Sequence, residues 1–126
     1  MPKHVPNLPG IEAGPYPFSQ VVEANGFVFL AGQVGDAPGS HGAVAGGIEA
    51  ETRAMLENVG RLLDAVGLSY ADVVKCTVYL RDFGDFGAMN KVYRQFFPQD
   101  APTRATVGVT ALAADYSVEI EVMATR

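Results

Sequence analysis

One arginine and two glutamates near the C-terminus are the groups best suited to chemistry. Arg104 follows Pro102-Thr103 and opens an apolar strand pattern, while Glu119 and Glu121 alternate with Val118, Ile120 and Val122. A guanidinium grips a carboxylate through two parallel charge-assisted hydrogen bonds. A glutamate beside the molecule so held can orient a water and accept its proton. Side chains two apart on a strand share a face. If segments 103–109 and 116–123 form a hairpin that pairs Val109 with Tyr116, Arg104 falls opposite Glu121 and Thr106 opposite Glu119. Paired residues share a face, so all four side chains then lie together. The plainer reading of the same pattern is a cross-strand salt bridge at a solvated edge, which is worth little.

Other chemistry finds no support. The two histidines, His4 and His41, sit in Gly- and Pro-rich stretches, and with the one cysteine, Cys76, they make no zinc-ligand spacing. No histidine-based serine or cysteine triad is visible. The Gly-rich run at 42–47 matches neither a P-loop nor a dinucleotide fingerprint. No metal and no cofactor are expected. Cys76 lies in an apolar strand pattern and reads as a small core residue. Nine basic residues are scattered among fourteen acidic ones, for a net charge of −5. Such a surface repels a phosphate backbone, so no nucleic-acid partner is expected. Residues 1–16 hold four prolines and no apolar core of signal-peptide length, and no apolar run is long enough to span a bilayer. The expectation is a cytoplasmic protein with no membrane partner.

These residues need a scaffold. With 126 residues, 48% hydrophobic and 18% charged, the chain suits a single packed domain over 1–126. Residues 1–15 read as an extended arm. Ser19–Ala24 and Phe27–Leu30 flank Asn25-Gly26, a tight hairpin turn. A short strand at Ala43-Val44 is an optional addition in the glycine-rich loop. Ile48, Thr52, Met55, Val59, Leu62 and Val66 recur at helical spacing, with Glu49 and Glu51 in the first turn and Gly67 as the stop. Val73–Leu80 reads as a strand, Phe83–Phe97 as a second helix, and Thr103–Val109 and Tyr116–Met123 as two more strands. The order β-β-(β)-α-β-α-β-β gives a two-layer α+β domain, a mixed sheet of about six strands with two helices on one face. The other face is left open in a monomer. Covering it with partner subunits accounts for a mean hydropathy of +0.13.

Several blocks together resemble the RidA/YjgF family of enamine/imine deaminases, once called L-PSP endoribonucleases. They are Phe18-Ser19-Gln20, Ala31-Gly32-Gln33, Glu51-Thr52-Arg53, Leu56 to Val59, Asp72 to Leu80, Asp85-Phe86 to Asn90, Tyr93 and Phe96-Phe97. Pro102 to Val107 and Val118-Glu119-Ile120-Glu121 complete the set. The resemblance implies a chorismate-mutase-like fold and a homotrimer whose sites lie in clefts between subunits. It casts Arg104 as the grip on a substrate carboxylate and Glu119 as the group that positions water. It also implies that Gly32 offers its backbone and that Phe18, Asn90 and Thr106 shape the cleft. The role of Glu121 stays open.

The implied activity is hydrolysis of 2-aminoacrylate/2-iminopropionate-type intermediates to keto acids and ammonia, which clears reactive species without a metal. Phe18 stands where the family commonly has tyrosine, Ala31 where it commonly has serine, and Ala113 where proline often follows Leu112. The first two changes remove hydroxyls and make the cleft more apolar. Alternatives are a trimeric metabolite-binding or regulatory protein with a degenerate pocket, a ribonuclease, and a pathway-specific deaminase of a larger apolar substrate. The arginine–glutamate reading requires both tips to reach one anion. Tips of positions 104 and 119 on opposite sides of the sheet, or sealed away from any cavity, would end it.

Overall fold

A computed structural model describes residues 2–126. Strands β1 (Val21–Ala24) and β2 (Phe27–Val34) form the first hairpin. Asn25 and Gly26 carry φ of 53° and 82°, the two positive angles of a type I′ turn. Helix α1 (Gly47–Ala65) follows, then β3 (Val73–Leu80), helix α2 (Phe86–Phe96), β4 (Thr103–Gly108) and β5 (Val118–Thr125). Helix α1 stops where expected. Gly67 takes φ 78°, its N–H bonds Asp64 O, and Leu68 N–H reaches back to Leu63 O. The region predicted as helix from Phe83 opens with a 3-10 turn at Phe83–Asp85.

The sheet has five strands in the order β1-β2-β5-β3-β4. The expected count of about six is corrected: Ala43 and Val44 lie in a loop, where Val44 N–H meets Gly35 O. In the N-terminal arm, His4 pairs its backbone with Glu23 beside β1.

The expected hairpin of the last two strands is also corrected. Strand β4 pairs in parallel with β3, and β5 lies antiparallel to β3 on its other side. β3-α2-β4 is therefore a crossover unit, in which a helix carries the chain back to lay a parallel strand beside the first. The β2-α1-β3 unit is similar but split, because β5 fills the gap between its two strands.

Both helices cover one face. Val28, Leu30, Cys76, Val78, Leu80, Val118, Ile120 and Val122 pack there with Met55, Leu56, Val59, Leu62, Leu63 and Met89. Cys76 is a core residue, as expected. The opposite face leaves Phe27, Phe29 and Val107 exposed, an apolar surface of the kind the composition called for. Glu51 is buried, and its carboxylate accepts from Ser117 N at 2.7 Å and Val118 N at 3.3 Å. It fixes the entry of β5, a role that its place near a helix N-terminus does not announce.

Candidate active site

Strand alternation decides where the key side chains point. Cys76 of β3 stands between Arg104 of β4 and Val122 of β5, and Val78 stands between Thr106 and Ile120. Cys76 and Val78 face the helices, so Arg104 and Thr106 do as well. The Arg104 guanidinium lies 4.6 Å from the Tyr93 ring centre and 5.6 Å from that of Phe86, both on α2. Such cation–π contacts hold the group by its face, and among the described residues its N–H donors meet no carboxylate. Asn90 lies between Phe86 and Tyr93 in the helical i, i+4, i+7 series, on the turn that cradles the arginine. Thr106 Oγ1 is buried without a hydrogen-bond partner among the described residues. Burial pushes the Tyr93 hydroxyl and the Cys76 thiol above their usual ranges, so both stay neutral beside the cation.

Glu119 is on the other face. It pairs with Tyr79, next to the Glu121–Thr77 pair, in the row that the helices do not cover. The ladder between β2 and β5 is irregular between Leu30 and Gln33, which leaves Ala31 and Gly32 in a bulge beside Glu119. The Gln33 amide ties this bulge down by donating to Gln20 Oε1, Ala31 O and Gly32 O at 3.1, 3.1 and 3.2 Å. A cleft of about 450 Å³ holds Phe18, Gly32 and Glu119 together; Arg104, Asn90 and Thr106 do not line it.

The expected set therefore divides in two. Arg104, Asn90 and Thr106 form one group at the β4 edge, on the helix side. Phe18, Gly32 and Glu119 form the other, on the open side. The meeting of Arg104 with Glu119 and Glu121 is overturned within the chain, because β3 separates their strands and the alternation sends them to opposite faces, which is the placement named above as ending that reading. Missed at the sequence level were Gln33, which braces the bulge, and Phe86 and Tyr93 as the seat of the arginine. The last two share a helix face with Asn90, a signal that becomes useful once β4 is placed beside β3 under α2.

The electrostatics of Glu119 also differ from a carboxylate beside a guanidinium. Burial, and then repulsion from Glu121, raise its pKa above the ordinary value. Glu121 accepts a 2.6 Å hydrogen bond from the Tyr79 hydroxyl and stays close enough to act on its neighbour. A raised pKa makes Glu119 a better proton acceptor near neutrality. If the carboxylate form is the active one, kcat/KM rises with pH through a limb displaced upward from that of a free glutamate. Glu121→Gln removes the repulsion and moves this limb to lower pH, which a pH profile of kcat/KM reads directly.

Gly32 gives a sharper test of geometry. A Cβ there would run into Glu119 Oε2. The obstructing atom is the end of a flexible side chain, so Gly32→Ala folds with a change within about 1 kcal/mol. The carboxylate must swing away, and such a displacement costs about 100-fold in kcat. Thermal melting alongside steady-state rates checks both halves of this expectation.

The sequence profile described as Endoribonuclease L-PSP matches residues 12–126. The chain belongs to this family, known also as RidA/YjgF. A RutC family protein of Pyrococcus horikoshii is 44% identical over 86% of both chains. The human 2-iminobutanoate/2-iminopropanoate deaminase is 39% identical over 86% of this chain and 79% of its own length. Among solved structures, Escherichia coli TdcF with bound serine superposes with a TM-score of 0.83 at 37% identity, covering 91% of this chain and 92% of the other. This member of the family carries both residue groups on one chain, on opposite sides of one sheet.

Proposed function

We propose that this RidA/YjgF protein hydrolyses 2-imino acids, in equilibrium with their 2-enamines, to 2-keto acids and ammonia. Its relatives at about 40% identity over most of the chain carry the name 2-iminobutanoate/2-iminopropanoate deaminase. The observation that carries the reading is the pair of unfinished half-sites: a guanidinium with no carboxylate partner among the described residues on one face, and a carboxylate in a cleft on the other. No motion within one chain joins them through a sheet. Association of protomers does, by setting the β4 edge of one against the open face of the next. A closed ring of heterologous contacts repeats that junction at every interface, and a homotrimer with three shared sites satisfies it. It also covers the apolar open face.

Arg104 binds the substrate carboxylate in a fork and so fixes C2 of the imine. Asn90 and the Thr106 hydroxyl complete that side. Glu119, across the junction, orients a water against C2 and takes its proton as the C–O bond forms. The proton passes from Glu119 to nitrogen, and Glu119 then takes the hydroxyl proton as the C=O bond forms and the C–N bond breaks, so that ammonia leaves behind the keto acid. The protonated imine is already electrophilic, so orientation and the pair of charges carry the catalysis. The family's older description points to RNA cleavage, but the acidic chain offers no basic track for a phosphate backbone. We assign the reaction to the cytoplasm, where pyridoxal-phosphate enzymes release such imines by elimination from amino acids.

The test is direct. A serine dehydratase generates 2-iminopropionate in place, and the protein is expected to accelerate pyruvate and ammonia release while suppressing semicarbazide trapping of the imine. Identical traces with and without the protein defeat the reading.

A further inference from the structure

The cleft around Glu119 has a wall that the hydrolysis itself does not require. Phe18, Val22, Phe29, Leu30 and Ala31 form it, and Ser19 and Glu119 bring the side-chain oxygens. Phe18 is 52% exposed and Tyr16 is 59% exposed, yet their rings lie stacked, with centroids 6.0 Å apart and planes within 14°. Two half-exposed aromatic rings lie near parallel, and one of them, Phe18, stands at the wall of the cleft. On the lone protomer the cleft measures about 450 Å³, and the neighbouring protomer's β4 edge takes part of that space and leaves the rest to the substrate.

We propose that this wall receives the side chain of the imino acid and makes aromatic 2-imino acids the preferred substrates over 2-iminopropionate, with Phe18 as the determinant. The proposal rests on the deaminase reading above. Its geometry follows from the reaction. Water held by Glu119 must attack C2, so C2 lies at the cleft, and the substituent on C2 lies one bond further on. A benzyl group there lays its ring against Phe18 in an offset or edge-on arrangement, while a methyl group leaves the same wall wet. Phe18 carries no hydroxyl and Ala31 none, so a polar side chain finds few partners on this wall and loses its own hydration on entering.

The test compares two substrates within each protein. One is 2-iminopropionate from serine and a serine dehydratase. The other is 2-imino-3-phenylpropanoate from phenylalanine and an L-amino-acid oxidase, with catalase present. Rates are read as the fall in semicarbazone. The wild type is expected to favour the phenyl substrate about tenfold in kcat/KM. Phe18→Ala, which removes an exposed ring and leaves the core intact, is expected to bring that ratio to about one. Phe18→Leu keeps apolar area without a ring and is expected to fall between. A wild-type preference for 2-iminopropionate, or a ratio unmoved by both variants, overturns the proposal while leaving the deaminase intact. Failure of the wild type on both substrates overturns the deaminase reading and the proposal together.

Discussion

Arg104→Ala is expected to lower kcat/KM by about 10³-fold, mostly through KM. Truncating one partner of a buried, hydrogen-bonded charge pair costs about 2–5 kcal/mol, and each 1.4 kcal/mol is a factor of ten. The guanidinium contacts the substrate carboxylate equally before and during water attack, so its loss weakens ground state and transition state alike. Arg104→Lys keeps the charge but not the planar fork, and is expected to recover only part of the activity. The change has a structural cost too. Arg104 covers the rings of Tyr93 and Phe86, and losing those contacts costs about 1 kcal/mol of stability. Rates on 2-iminopropionate, measured with a melting curve for each variant, separate the two effects. An Arg104→Ala protein as active as the wild type removes the arginine from the mechanism.

What the sequence made legible, and what it did not, divides along the difference between local and non-local pairing. The Asn25-Gly26 turn, the spacing from Ile48 to Leu62 and the Gly67 stop are local signals, and each matches the structure. The two-helices-on-one-face layering follows from element order alone. Strand neighbours do not. The segment 103–109 runs toward 116–123 with a loop between, so an adjacent hairpin was the simplest pairing. The chain instead uses α2 to bring β4 back parallel to β3, and it inserts β5 between β2 and β3. The alternation of Arg104 with Thr106, and of Glu119 with Glu121, was read correctly. The face assigned to each pair was not, because a face is defined only once the neighbouring strand is known. Gly32 shows the same limit. Its block pointed to a backbone role, but the reason for glycine is a carboxylate from the other end of the chain occupying the space of a Cβ.

The division of the candidate site between two faces leads to a result that no single-chain site produces. Glu119→Gln is expected to lower kcat by about 10²–10³-fold, since the amide cannot accept the proton of the attacking water. Arg104→Ala is expected to fail for its separate reason. Mixing the two inactive proteins should nevertheless restore activity. In an oligomer assembled at random from equal parts, a site that draws its arginine from one protomer and its glutamate from the next is intact wherever an Arg104-bearing chain meets a Glu119-bearing chain. About a quarter of the sites meet that condition in a closed ring with one type of junction. Co-expression with two affinity tags and tandem purification isolates the mixed oligomers, whose rate on 2-iminopropionate is then compared with that of each parent. Each isolated mixed trimer has one intact site in three, so recovery approaching a third of the wild-type rate requires that the two half-sites meet across a subunit boundary. Verified mixed oligomers no more active than either parent would dissolve the partnership, because the sheet already forbids Arg104 and Glu119 from meeting within one chain.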